Sequence, residues 1–357
     1  MNVQASGDTH SPHSSINIIR AEIDRAGDVL KLLREAALWM ESKGIKQWSP
    51  TQFNELDIAG YFQDRQVYMA LDGENVAGMF TLQFSDPQYW GPRNDETYAY
   101  LHRLAVAEPY RGAGLGPQLL MYAADLAQEL GYKSLRFDTL ASNIKLNRFY
   151  QGLGFHFMGI NDVGGGRLVN LYEHFKESAD SDELILRYFA EADFDSVKSW
   201  SVSPEFLKQW AGPSLSFPLV DEQLKEYMNG ANDTGQSTML IYSAVHKGTQ
   251  QVVGHLSLAG IDRVNGSARI GRVVVDPQYQ GRGFGQRMIQ EVLRIGFDSL
   301  ELHRLSLGVY AFNTAAISTY MASGFIQEGI QREAALFGEQ YVDCIEMSLL
   351  DREWRGK

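Results

Sequence analysis

One block of sequence occurs twice in this chain, and the distance between the copies limits what the chain can fold into. The first copy reads Leu104-Ala-Val-Ala-Glu-Pro-Tyr-Arg-Gly-Ala-Gly-Leu-Gly116, the second Val273-Val-Val-Asp-Pro-Gln-Tyr-Gln-Gly-Arg-Gly-Phe-Gly285. Further on, Asn143, Tyr150, Gly154 and Phe155 are answered in the same order by Asn313, Tyr320, Gly324 and Phe325. The offset is 169 or 170 positions throughout. Solenoid units run to only about 20–50 residues, so the repeated unit is a whole domain. At 357 residues the chain has room for two such domains, each of ordinary size.

The expected organisation is a polar, disordered tail at 1–15, a first domain at 16–176, a linker at 177–182 and a second domain at 183–357. The join Lys176-Glu-Ser-Ala-Asp-Ser-Asp182 is short, polar and free of apolar periodicity, as a linker should be. Each domain opens on an apolar strand, Ile16–Arg20 or Leu184–Phe189, followed by helical segments such as Asp28–Lys43 and Pro204–Trp210. Two strands come next, Gln66–Leu71 and Val76–Leu82, or Met239–Val245 and Val252–Leu258. A strand ending at Val106 or Val275 then feeds the glycines into a helix, Pro117–Leu130 or Gln286–Phe297. A further strand, Ser134–Asp138 or Arg304–Val309, precedes a short helix carrying Tyr150 or Tyr320. This order predicts an α+β fold built twice.

A strand that runs through glycines into a helix start makes an anion site. The first amides of a helix lack partners and the helix dipole favours negative charge there. Glycine lets a pyrophosphate approach the backbone closely. A Walker loop would end in Gly-Lys-Ser/Thr, which neither copy has. A Rossmann turn would place its first glycine at the strand end, but Pro109-Tyr110 and Pro277-Gln-Tyr279 intervene. A kinase loop would need a downstream His-Arg-Asp catalytic loop, which is absent.

The pattern Arg111-x-x-Gly114-x-Gly116 and Gln280-x-x-Gly283-x-Gly285, each followed by an Asn, a Tyr seven positions later and Gly-Phe, resembles the GNAT acetyltransferases. The resemblance covers nearly the whole chain and occurs twice. It implies two tandem folds, each a mixed, mostly antiparallel sheet with a splayed central strand pair flanked by helices. It implies acetyl-CoA as co-substrate, with the backbone of Leu104, Ala105 and Val106, and of Val273, Val274 and Val275, pairing along the pantetheine arm. Amides of Arg111, Gly112, Ala113, Gly114, Leu115 and Gly116 would hold the pyrophosphate in one domain. Those of Gln280, Gly281, Arg282, Gly283, Phe284 and Gly285 would do so in the other. Asn143 and Asn313 would help fix the cofactor, and Tyr150 and Tyr320 would protonate the departing thiolate.

Direct attack of an amine on a thioester needs a neutral amine, a polarised carbonyl and a protonated leaving group, and a Tyr hydroxyl can supply that proton. No covalent nucleophile is required. For the general base, Glu96, His102 and Asp138 flank the predicted central strands of the first domain, and His102 has a suitable ordinary pKa of roughly 6.5. The corresponding strand of the second domain, Ser267–Val273, offers no acid, and His255 and Glu205 are weaker candidates. Asp86, Asp95, Glu96, Glu205, Asp221, Glu222 and Glu226 could line a groove between the domains, though each by itself reads first as a solvated carboxylate, and Arg332 with Asp343 reads as a structural ion pair. The eight histidines lack metal-ligand spacing, so no metal is expected.

A net charge of -12 disfavours nucleic acid and attracts cations at long range. No apolar run approaches the roughly 20 residues that span a bilayer. One cysteine, Cys344, and a polar start suit a reducing cytoplasm. The expected activity is therefore acetylation of a primary amine on a small cationic molecule within a ternary complex. In tandem arrangement, size and acidity the chain resembles self-resistance enzymes for cationic antibiotics of the paenilamicin and zwittermicin kind. A protein N-terminal or lysine acetyltransferase, and a chain with one domain as a non-catalytic acyl-CoA-binding or scaffolding module, remain open. The oligomeric state and the catalytic domain are undetermined at this level.

Overall fold

The computed structural model describes residues 16–45, 47–174 and 183–356. The expected tail at 1–15 and linker at 177–182 lie outside the described residues.

The first sheet contains β1 (Ile16–Arg20), β2 (Gln66–Asp72), β3 (Asn75–Gln83), β4 (Ala99–Val106), β5 (Leu135–Leu140), β6 (Phe155–Asp162) and β7 (Leu168–His174). Its helices are α1 (Ala26–Ser42), α2 (Glu55–Asp64), α3 (Pro87–Trp90), α4 (Leu115–Glu129) and α5 (Ile144–Gly152). The second sheet contains β8 (Leu184–Tyr188), β9 (Met239–His246), β10 (Val252–Asp262), β11 (Ser267–Val275), β12 (Arg304–Tyr310), β13 (Ile326–Phe337) and β14 (Gln340–Leu350). Its helices are α6 (Phe194–Trp200), α7 (Pro204–Ala211), α8 (Asp221–Met228), α9 (Phe284–Arg294), α10 (Thr314–Ala322) and α11 (Asp351–Arg355).

The strand orders are β1-β2-β3-β4-β5-β7-β6 and β8-β9-β10-β11-β12-β14-β13. Adding seven to each label of the first gives the second, so the duplication seen in sequence is a duplication of topology. Both sheets are mixed: β4 with β5 and β11 with β12 run parallel, against antiparallel pairs such as β2 with β3 and β9 with β10.

The helices form for local reasons. In α1 the buried residues Val29, Leu32, Leu33, Ala36 and Ala37 recur at three- and four-residue spacing, which makes one apolar stripe. The helices that follow the glycine loops start two residues earlier than expected, because Gly114 and Gly283 take left-handed conformations and act as N-caps. Pro117 is therefore the third residue of α4, where an amide has no intrahelical partner in any case. The expected second helix ends sooner, at Arg294, and passes into a π-helical turn, Ile295–Ser299.

Two glycines hold these helices against their sheets. A Cβ on Gly78 would lie 2.8 Å from Leu119 Cδ1 and 2.9 Å from the Ala105 carbonyl oxygen. On Gly254 it would lie 2.6 Å from the Met288 sulfur and 2.8 Å from the Val274 carbonyl oxygen. In both cases one neighbour is backbone and cannot step aside. Gly254→Ala is expected to destabilise the chain by about 1–3 kcal/mol through overpacking, measured as a shift of the urea midpoint at constant m-value.

The chain divides into two compact units, one running to Phe137 and the other beginning at Asp138. The later unit holds the last strands of the first sheet with all of the second. Inside it the copies are joined by buried polar bonds. The Tyr188 amide donates to Gln151 Oε1 at 2.9 Å, and Thr234 Oγ1 to Asn170 Oδ1 at 2.5 Å. Asn170 donates in turn to Asn147, which also accepts from the Tyr172 hydroxyl. Ser299 and Arg294 both donate to the Phe157 carbonyl, at 2.7 and 3.0 Å.

Candidate active site

The strand that carries each glycine block is paired to its parallel neighbour only near its start. Ala99 and Tyr100 of β4 pair with Leu135 and Arg136, and Ser267, Ala268 and Arg269 of β11 pair with Arg304, Leu305 and Ser306. Both strands run on well past these pairs, to Val106 and Val275. On the other edge each carries a bulge: register shifts between Met79 and Thr81 in β3, and between His255 and Ser257 in β10. The extra residue lies on β4 and β11, where Arg103 has φ 56° and Arg272 φ 49°. Left-handed backbone at a long side chain is uncommon and needs support from its surroundings. Trp48, Phe53 and Tyr61 stack around the Arg103 guanidinium, and Trp210 Nε1 donates to the Arg272 carbonyl at 2.7 Å.

After the strand, Gly112 and Gly114 have φ of 78° and 86°, and Gly281 and Gly283 of 75° and 82°. These positions favour glycine because they are left-handed, and all four glycines are exposed while Leu115 and Phe284 are buried beneath them. The first side chain of each loop turns back: Arg111 Nε donates to the Val106 carbonyl at 3.0 Å, and Gln280 Nε2 to the Val275 carbonyl at 3.2 Å. Arg282 lies over the Tyr279 and Phe284 rings. A glycine-lined helix N-terminus of this shape is suited to a pyrophosphate.

Asn143 and Asn313 are the N-caps of α5 and α10, accepting the Leu146 and Ala316 amides at 3.2 Å each. Capping accounts for asparagine at both positions. Tyr150 and Tyr320 sit on the helices so capped. Burial, with the Asp138 carboxylate adding to it, raises the Tyr150 hydroxyl well above its ordinary pKa. Burial alone pushes Tyr320 up to about 12. Both phenols therefore keep their protons at neutral pH, the form a general acid needs.

The two copies differ beside the bulge. The β3–β4 connection, residues 84–98, carries α3 and a further helical turn, whereas residues 263–266 suffice between β10 and β11. The longer connection walls a cleft of about 770 Å³ lined by Asp64, Arg65, Asp86, Tyr89, Glu96 and His102, among others. His102 and Glu96 are thus brought to one cleft, Glu96 exposed and His102 half-buried. His102 Nε2 lies 2.9 Å from Asp86 Oδ2. Asp86 is only 3% exposed, so the solvated surface carboxylate expected at that position is instead a buried partner. Position in sequence, 16 residues from His102, hid the pair.

In the second copy the Thr81 bond to the His102 carbonyl has its counterpart in the Ser257 bond to the Gly271 carbonyl. Gly271 therefore stands where the first copy has His102. His255 is fully buried, 3.2 Å from the Tyr227 hydroxyl and edge-on to Phe189 and Trp210. Burial, with the Arg272 charge, lowers its pKa to about 3 and keeps it neutral. Asp343 accepts the Glu333 amide at 2.8 Å rather than the expected Arg332. Burial raises the Cys344 thiol, which disfavours a thiolate nucleophile.

Comparison with known proteins places both copies in one family. Residues 31–155 match the Acetyltransferase (GNAT) family, and residues 183–326 an Acetyltransferase (GNAT) domain. The Uncharacterized N-acetyltransferase YesJ of Bacillus subtilis (strain 168) is 29% identical over 40% of this chain and 83% of its own. The Spermidine N(1)-acetyltransferase of Vibrio cholerae is 25% identical over 50% of this chain and 98% of its own. The crystal structure of spermidine N-acetyltransferase from Vibrio cholerae in complex with CoA and spermine aligns with 49% of this chain and 99% of its own, at 22% identity and a TM-score of 0.43. Among the described residues no helix is long and apolar enough to cross a membrane.

Proposed function

The chain belongs to the GNAT acetyltransferases, carrying the family's domain twice, and from that premise we propose that it acetylates a primary amine on a small cationic molecule. GNAT enzymes use acetyl-CoA, and the relatives are N-acetyltransferases, among them one acting on spermidine. The observation that carries the reading is the first copy's cleft, where Asp64, Glu96 and Asp86 accompany His102 close to the bulged strand β4. The carboxylates Asp64, Asp86 and Glu96 outnumber the two arginines of the cleft, Arg65 and Arg103, and a net negative lining favours a cationic acceptor through direct attraction. A cationic antibiotic is the finer form of this substrate class.

In the proposed reaction, both substrates are bound together. The amine nitrogen attacks the thioester carbonyl carbon, the C–S bond breaks, His102 takes the amine proton and Tyr150 protonates the thiolate. Leu104–Val106 and Arg111–Gly116 hold the cofactor of the first copy, with Asn143 at its edge. Val273–Val275, Gln280–Gly285 and Asn313 hold that of the second, which lacks a residue equivalent to His102 and serves as the partner that binds without turning over. The copies are read as domains at 16–176 and 183–357 of a cytoplasmic enzyme.

The test is release of CoA thiol with spermidine, a cationic peptide–polyketide antibiotic and lysine peptides as acceptors. Tyr150→Phe is expected to lower kcat about 10²-fold, and Tyr320→Phe to leave it within about threefold. Turnover on peptides alone would overturn the substrate class. Full activity in the double Phe variant would overturn the general-acid role.

A further inference from the structure

We propose that Asp86 is a positioning residue for His102, and that the residues 84–98 connection exists in the first copy to deliver it. The inference rests on the reading of the first cleft as the acceptor site.

Three observations carry it. Asp86 is buried to 3% exposure, yet its carboxylate meets the His102 ring at 2.9 Å. Its own backbone is fixed on both sides: its amide donates to Asn94 Oδ1 at 2.7 Å and its carbonyl accepts from the Trp90 amide at 2.9 Å. Both partners belong to the same connection, which has no counterpart between β10 and β11. The His102 end is held as firmly. Thr81 Oγ1 donates to its carbonyl at 3.2 Å, and the Tyr89 ring packs 5.3 Å from its own.

The chemistry follows from the donor set. With Asp86 as the acceptor of the pair, His102 donates through Nε2–H. In the neutral imidazole that leaves Nδ1 as the basic nitrogen. The ammonium first releases one proton to solvent, and the second, which leaves the neutral amine as the N–C bond forms, goes to Nδ1, directly or through a water. The Asp86 carboxylate stabilises the imidazolium, and after CoA leaves the proton held by the ring restores the Tyr150 phenol through solvent. The cleft also presents Asp64, Arg65, Glu96 and Arg103, of which Arg65 is paired with Asp64 at 3.0 Å. Asp86 is the carboxylate among these that is both buried and bonded to the ring.

The second copy supplies the contrast. It has neither the connection nor the histidine: Gly271 stands at the ring's position, and Asp262 turns its carboxylate to the amides of Val264 and Asn265. Carboxylate and imidazole are thus absent together.

The experiment measures kcat and KM on whichever of spermidine, the antibiotic or a lysine peptide the wild-type chain acetylates fastest. Asp86→Asn is expected to lower kcat about 10- to 100-fold with KM within about twofold. Asp86→Glu should recover part of that loss. In a His102→Ala background Asp86→Asn should cost nothing further, since the pair acts as a unit. Imidazole ¹⁵N spectra of the unliganded chain give a readout independent of any acceptor. The His102 proton should reside on Nε2 in the wild type and redistribute in Asp86→Asn. An unchanged kcat in Asp86→Asn, an equal loss in the His102→Ala background, or an Nδ1–H tautomer in the wild type would each overturn the inference. Full activity in His102→Ala would overturn the reading of the cleft, and the inference with it.

Discussion

Replacing His102 by alanine is expected to lower kcat for acetyl transfer about 10²- to 10⁴-fold, the usual worth of a positioned general base. The size of the effect follows from the chemistry demanded. Once the ammonium has released one proton to solvent, the neutral amine that attacks the thioester must shed a second as the N–C bond forms, and a base poised at that nitrogen takes it. His102 borders the cleft with its ring oriented by Asp86. KM should change little, because the ring acts on the reacting nitrogen rather than on the ligand's remote charges. The steady-state rates of the variant and wild type on the same acceptor decide the matter. The second copy is an internal control. A Cβ at Gly271 would meet only Ser257 Oγ, at an ordinary 3.7 Å, so nothing steric forbids a side chain where the histidine is missing.

Asp193→Ala is expected to cost about 3–5 kcal/mol of folding stability, the range for breaking a buried pair from one side. Asp193 is 1% exposed and takes two bonds from Arg187, at 2.8 and 2.7 Å. Ser243 Oγ and the Ala190 amide also donate to it. Burial alone would raise its pKa, but the Arg187 bonds and charge, with Ser243 and Ala190, outweigh it and hold the carboxyl below its ordinary range. The sign of the pH dependence follows. A depressed carboxylate contributes stability that is present above its unfolded pKa of about 3.9 and lost as pH falls through the lower folded value. The difference between variant and wild type in urea should therefore be full at neutral pH and shrink in acid. A constant difference down to low pH would show that packing, not charge, carries the effect.

The repeat was legible because its glycines, asparagines and tyrosines answer local needs that recur with the backbone: left-handed turns at Gly114 and Gly283, caps at Asn143 and Asn313. Topology followed from the order of the strands. The parts that escaped depend on contact rather than pattern. Asp86 looks like any loop carboxylate until the connection folds it under His102. Gly78 and Gly254 read as unremarkable strand residues, although their recurrence in matching strands was a signal of close backbone approach. The long hairpin of β13 and β14 also went unread, since β13 lies at a sheet edge and most of its residues are exposed, which blurs the alternation that marks a half-buried strand.

The hydroxyl of Thr234 that satisfies Asn170 has an evolutionary implication. A chain assembled from two independent copies becomes hard to divide once an atom of one closes a buried polar network in the other. Expressing either half alone would exchange these bonds for bonds to water and uncover the apolar surface packed around them. Selection on the fold alone then keeps both copies together, whichever of them carries the chemistry.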